Sequence, residues 1–219
     1  MKKRCAKEAL KFIKDGMVVG LGGGSTISYL CEYVKENNLD IQVVSPSLNT
    51  RDKCNELGIE LKLLEMTDHV DVAFDGCDEV DYNLNALKSG GGIHTQEKII
   101  GSMADNYILL VDESKVSETL TFKHPVVIEC AYAAYHKVMK EVTALGGKVS
   151  IRKARNKDGS LNSDQGLMLL DSYFEDVKDI KKLYEDLIHI VGVLEVSLFV
   201  NEADKVLIVC EDGFKELTK

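Results

Sequence analysis

Asp75-Gly76-Cys77-Asp78-Glu79-Val80-Asp81 sets four carboxylates within seven residues, directly after the apolar run Val70-Asp71-Val72-Ala73-Phe74. Like charges so close repel one another, so the set needs cations or hydrogen-bond donors around it. Such a group suits acid–base chemistry on a polyhydroxylated substrate. An oxygen-rich magnesium or calcium site is the rival reading, although the ligand ladder of an EF-hand is absent. The bland alternative is a solvated acidic turn. A second segment, Lys88-Ser89-Gly90-Gly91-Gly92-Ile93-His94-Thr95-Gln96-Glu97-Lys98, brings a cation, a loop rich in backbone N–H groups and a carboxylate into one stretch. His94 is better read there as a structural or solvated histidine than as a base. A third, Gly20-Leu21-Gly22-Gly23-Gly24-Ser25-Thr26, lacks the Gly-Lys-Ser/Thr ending of a Walker loop and the last glycine of a dinucleotide fingerprint. It does offer amides and hydroxyls at a helix start, where an anion is favoured; the alternative is a tight turn and cap without a ligand.

Elements of alternating type must hold these segments. Helical spacing is expected over 3–14, from Ile27 to Lys35, Thr50 to Leu57 and His94 to Ala104. Short apolar strands are expected at Met17–Leu21, Ile41–Ser45, Ile59–Leu64, Val70–Phe74 and Tyr107–Val111. That alternation implies a mostly parallel sheet with helices on its faces, and ligands beyond the carboxyl ends of its strands. After about Lys123 the order becomes strand (Val126–Glu129), helix (Ala131–Leu145), two strands (Lys148–Ile151, Leu167–Leu170), helix (Val177–Leu187) and strand (Val191–Val200). This is the pattern of a ferredoxin-like unit. Lys205 to Val209 could return to the first sheet. The fold expected is therefore α/β: a Rossmann-like, mostly parallel sheet domain (1–124 and 203–219) with a smaller ferredoxin-like α+β domain (125–202).

Composition narrows the chemistry. A net charge of −9 argues against a broad nucleic-acid surface, but one phosphate needs only a few amides and a lysine. The six cysteines have no Cys-x-x-Cys spacing, which points to small core residues in a reducing compartment. With neither a signal-peptide core nor a membrane-length apolar run, a cytoplasmic protein is expected. A phosphate anchor, several carboxylates and a lysine at one sheet edge suit proton transfer next to a carbonyl, with a base taking a carbon-bound proton and donors stabilising the enediolate oxygen.

In this order and spacing, the segments resemble the type A ribose-5-phosphate isomerase family. The resemblance runs through Asn162-Ser163-Asp164-Gln165-Gly166 and Ile190-Val191-Gly192-Val193 to Cys210-Glu211-Asp212-Gly213. It implies interconversion of ribose 5-phosphate and ribulose 5-phosphate through a cis-enediol, in the non-oxidative pentose phosphate pathway. It implies Glu97 as the base between C1 and C2, Asp75 and Asp78 as handlers of the sugar hydroxyls, and Lys88 beside the reacting oxygens. Gly23, Gly24, Ser25 and Thr26 would contact phosphate and sugar. Gly76, Cys77, Ser89, Gly90, Gly91 and Lys115 would complete the substrate site, and Lys2 or Lys3 would reach the phosphate. Neither metal nor cofactor is implied, and a homodimer or homotetramer is. The chain departs from the family pattern at Gly23 (usually Thr), Cys77 (Ala), Ser89 (Gly) and Gln96 (often Arg); a positive φ at Ser89 would force a different loop. A sugar-phosphate sensor would have no need of Glu97, and an acyl-CoA transferase would need a CoA site that a chain this short leaves little room for.

Overall fold

A computed structural model describes residues 1–156 and 158–219. The chain begins with α1 (Lys2–Ala9) and a 3-10 turn, then β1 (Val18–Leu21), α2 (Ser25–Glu36), β2 (Gln42–Val44), α3 (Leu48–Leu57) and β3 (Glu60–Leu61). Next come β4 (Val72–Asp75), β5 (Glu79–Asp81), β6 (Ala86–Leu87), α4 (His94–Met103), β7 (Tyr107–Asp112) and β8 (Val116–Ser117). The remainder is β9 (Val126–Cys130), α5 (Tyr135–Ala144), β10 (Lys148–Ile151), β11 (Met168–Tyr173), α6 (Ile180–Ile188), β12 (Val193–Val196), β13 (Leu198–Phe199), β14 (Lys205–Cys210) and β15 (Gly213–Thr218).

Seven strands form the main sheet in the order β15-β14-β7-β4-β1-β2-β3, parallel throughout except for the β14–β15 hairpin. β1 and β4 lie side by side at its centre, with Val19 opposite Val72 and Leu21 opposite Phe74. Both strands are short, apolar and covered on two faces, as parallel strands must be. The chain winds one way from β1 to β2 and β3 and the other way from β4 to β7 and β14, so the β1–β4 boundary is the topological switch point, where a crevice opens. On one face α2 buries Ile27, Leu30, Cys31 and Val34, a single helical stripe, against α1 and the sheet. The α3 start is capped by Ser47, whose Oγ accepts from the Thr50 N–H at 3.3 Å, and Gly58 at φ +67° ends it.

The second sheet, β10-β11-β9-β12, is antiparallel at every pairing. With α5 and α6 packing Val138, Val142, Leu183 and Leu187 into its core, it reproduces the ferredoxin-like order. All six cysteines are free and buried. Among the described residues, no helix is long and apolar enough to cross a membrane.

Three features differ from the sequence reading. Val191–Val200 is two strands rather than one: β12 pairs with β9, and β13 leaves to pair with β6. Between them Ser197 meets the backbone of buried Val127, its N–H donating to the Val127 carbonyl and its hydroxyl accepting the Val127 N–H, each at 2.8 Å. The last strand gains a partner, β15, by way of the Glu211-Asp212-Gly213 turn. A third sheet, β13-β6-β5-β8, is made of strands of two or three residues, too short for any periodicity to announce. This small sheet is what positions the site.

Candidate active site

The site is built on the carboxyl ends of β1 and β4. The loop after β1 turns tightly against β4, with the Gly22 N–H donating to the Phe74 carbonyl at 2.9 Å. A Cβ on Gly22 would stand 2.0 Å from Asp75 Oδ1, so a side chain there and Asp75 in its present place are incompatible. Gly24, at φ +94°, then sends the chain into α2, which carries no side-chain cap. The first bond back into that helix is Ser28 N–H to the Gly24 carbonyl, which leaves the preceding amides facing outward as anion donors.

Asp75 ends β4 and the chain enters the β5–β6 hairpin. Asp78 N–H donates to the Leu87 carbonyl at 2.8 Å, and Glu79 stands opposite Leu87, so the residue that follows, Lys88, is brought back beside Asp75. Lys88 Nζ lies 3.0 Å from Asp75 Oδ2 and 3.3 Å from Glu97 Oε1, and it also donates to the Gly76 carbonyl. All three charged side chains are buried. Burial disfavours the Lys88 ammonium, but the Asp75 and Glu97 carboxylates outweigh it and hold its pKa above that of an ordinary lysine. Burial first, and then the Asp75 charge, push the Glu97 pKa well above the usual carboxylate range, against the pull of Lys88. Glu97 Oε2 is buried without a hydrogen-bond partner. A carboxylate so held is a stronger base than one in water, with one oxygen uncommitted.

The four carboxylates of the acidic segment point to four different sets of partners. Asp78 Oδ2 accepts the N–H groups of Ser89 (2.7 Å) and Gly90 (3.1 Å). Glu79 accepts from the Thr121 and His124 N–H groups, each at 2.9 Å, and from the Thr121 hydroxyl. Asp81 gathers the N–H groups of Asn83 and Asn85 and the Asn85 side chain, all at 2.9 Å, and so builds the hairpin turn. The donors expected to relieve their repulsion are thus supplied by protein groups. Among the described residues the one three-member cluster of potential metal ligands is His69, Asp71 and Asp105, none of which lines the cavity.

A cavity of about 360 Å³ opens over Asp75, Lys88 and Glu97. Gly23, Gly24, Asp75, Gly76, Cys77, Asp78, Lys88, Gly90, Gly91, Glu97 and Lys115 of the expected residues line it. Lys115 arrives because β8 pairs with β5, and its Nζ donates to the Cys77 carbonyl at 2.6 Å. Ser25 and Thr26 start α2 outside the lining, and Lys2 and Lys3, at the start of α1, lie outside it too; Lys3 instead sits over the Tyr29 ring at 5.1 Å. Ser89 lies behind the glycine loop, buried, with its hydroxyl donating to the Pro125 carbonyl. Ser89 is not among the residues at positive φ, so its side chain does not force a new loop shape. The Cys77 thiol is pushed up to about 12, by burial more than by Asp78 and Asp75 and against Lys88 and Lys115. His94 is buried with Nε2 3.3 Å from the Glu195 carbonyl, and burial lowers its pKa to about 3, so it stays neutral within the fold.

Ser47, Asn49 and Ile93 also line the cavity, and the Tyr107 hydroxyl donates to Asp75 at 3.4 Å. None was anticipated. Ser47 and Asn49 could have been, since Ser45-Pro46-Ser47-Leu48-Asn49 follows the carboxyl end of β2 beside β1. Tyr107 starts its strand, and no local pattern reveals that its ring reaches across to Asp75.

A doubly wound sheet with a charged cavity at its switch point, an open helix start and a buried lysine between two carboxylates defines an α/β enzyme of acid–base chemistry on a small anionic substrate. Comparison with known proteins narrows the class. The family described as ribose 5-phosphate isomerase A (phosphoriboisomerase A) matches residues 42–213. Ribose-5-phosphate isomerase A of Pyrococcus abyssi is 40% identical over 224 aligned residues, covering 100% of this chain and 98% of its own. That of Prochlorococcus marinus is 40% identical over 214, covering 95% and 90%. Among solved structures, ribose 5-phosphate isomerase A from Methanocaldococcus jannaschii superposes with a TM-score of 0.92 at 37% identity, covering 100% of this chain and 98% of that one. A D-ribose-5-phosphate isomerase in complex with phospho-erythronic acid superposes at 0.93 and 38%, covering 100% and 97%. The chain belongs to the ribose 5-phosphate isomerase A family.

Proposed function

We propose that the cavity over Lys88 interconverts D-ribose 5-phosphate and D-ribulose 5-phosphate through a cis-enediol. The observation that carries this reading is the buried triad: Lys88 Nζ at 3.0 Å from Asp75 and 3.3 Å from Glu97, with Glu97 Oε2 unpartnered. The substrate phosphate sits at the open start of α2 and the Gly23-Gly24 loop, where backbone N–H groups and the helix field favour it. Glu97 takes the proton from C2 of the open-chain aldose and returns it to C1. Between these steps the electron pair of the broken C–H bond moves into the C1–C2 bond, and the carbonyl π pair moves to O1. Lys88 and the Gly91 amide stabilise that developing oxyanion. Asp75 and Asp78 handle the sugar hydroxyls, ring opening and the transfer of the hydroxyl proton between O2 and O1. Tyr107 and Lys88 hold Asp75 in place, and Lys115 lies at the rim.

The same reading takes a sugar phosphate as the partner, requires no metal or cofactor, and assigns the chain to the cytoplasm as a homodimer or homotetramer, with 1–124 and 203–219 as the catalytic unit. A purified sample given ribose 5-phosphate should produce ribulose 5-phosphate, followed by its ketose absorbance. Absence of turnover by a folded wild-type protein overturns the reading.

A further inference from the structure

The glycine loop that faces Asp78 is held from the second sheet. At the end of β10, Arg152 donates from Nη2 to the Ser89 carbonyl at 2.8 Å. The same guanidinium is gripped by Asp171 of β11, through Nε at 2.8 Å and Nη2 at 2.6 Å from Oδ1. Arg152 and Asp171 are both largely shielded from solvent, so the pair is only weakly screened. Among the described residues no peptide is cis, so the Ser89 C=O and the Gly90 N–H lie on opposite sides of one planar unit. Pulling that carbonyl toward Arg152 therefore aims the Gly90 N–H the other way, where Asp78 Oδ2 receives it at 3.1 Å. Ser89 N–H reaches the same oxygen, and the Ser89 hydroxyl is tied to the Pro125 carbonyl. Beyond it stand three glycines, with Gly91 at φ +70° and Gly92 at φ +74°, a stretch with little resistance of its own to a peptide flip.

We propose that Arg152 and Asp171 are positioning residues of the active site: by holding the Ser89 carbonyl they orient the Ser89–Gly90 peptide, and with it the N–H that fixes Asp78. The proposal rests on the isomerase reading of the cavity. Without the guanidinium the peptide can turn its carbonyl toward Asp78, which replaces a donor with a repelling oxygen and moves the loop that lines the cavity.

The test compares the wild-type full chain with Arg152→Met, Arg152→Lys and Asp171→Asn. Arg152→Met should lower kcat about 10- to 100-fold while KM changes by about threefold or less, the signature of misplaced groups in the transition state. Arg152→Lys should recover part of the loss, since one donor can still reach the carbonyl. Asp171→Asn should give a smaller loss, and the Arg152→Met/Asp171→Asn double variant should be no worse than Arg152→Met alone. Hydrogen exchange of the 89–92 amides should quicken in Arg152→Met, a readout that needs no turnover. A folded Arg152→Met enzyme with wild-type kcat and unchanged exchange overturns the proposal, whatever its melting temperature. If Arg152→Met does not fold, an Asp171→Asn enzyme with wild-type kcat and exchange overturns it. An inactive wild type would overturn the isomerase reading instead, and the exchange comparison would still decide whether Arg152 holds the loop.

Discussion

At the scale of single residues, the triad Asp75–Lys88–Glu97 carries opposed demands. Two carboxylates and one ammonium share a buried space, so a net negative charge is held away from water, which costs stability. The raised Glu97 pKa expresses that cost, and it gives two expectations for Glu97→Gln. Turnover should fall by about 10²–10⁴-fold, the usual worth of a positioned base, while sugar phosphate still binds. A group whose folded pKa exceeds its unfolded value contributes stability below the unfolded pKa and loses it as pH rises through the folded one. Once ionised, Glu97 is therefore a burden, and Glu97→Gln should be the more stable protein in urea unfolding at a pH above that range. The wild-type kcat profile should lose activity on the acid side at a pH above the ordinary glutamate range. An acid limb at the value of a free glutamate would exclude Glu97 as the base.

Elements decide which of these residues can meet. The β1–α2 turn and the end of β4 approach so closely that Gly22 and Asp75 are one packing unit. Gly22→Ala should leave the far-UV circular dichroism intact but cut kcat by about 100-fold, because Asp75 must move away from Lys88. Gly90→Ala makes the contrast: nothing lies within 4 Å of its Cβ position and its φ is not positive, so kcat should fall far less. Equal losses in the two would show that the loops, rather than Asp75 itself, limit the rate. The small third sheet works at this scale too. By pairing β5 with both β6 and β8 it draws Lys88 and Lys115 to the two sides of the acidic segment.

For the whole molecule, the second sheet takes part in the site without lining it. Arg152 reaches the Ser89 carbonyl, Glu129 accepts the Thr95 hydroxyl on α4, and Lys98 of α4 bonds Glu195 and the Leu198 carbonyl, each at 2.9 Å. The helix that carries Glu97 is thus anchored through one face, by Thr95 and Lys98, to the paired strands β9 and β12 and to β13. Because the site carboxylates are met by protein donors and Lys88, turnover should be unchanged by an excess of EDTA, measured against an untreated sample. A loss restored by added magnesium would return metal chemistry to the acidic segment.

The parallel sheet, the ferredoxin-like order and the chemistry-bearing segments were legible because each is written locally. Short apolar strands, helical stripes and glycine loops after strands are periodic or contiguous, and the Asp75–Asp81 and Lys88–Lys98 motifs carry their own spacing. What the acidic segment does was not written there. The family resemblance singled out Asp75 and Asp78, but only the tertiary structure shows why: these two line the cavity, while Glu79 and Asp81 bind the backbone of the 121–124 segment and of their own hairpin. That separation depends on two- and three-residue strands, on Tyr107 reaching back from the next strand and on Arg152 arriving from 63 residues away. Contacts of this kind have no period and no local propensity, and they come into being only when distant segments pack together.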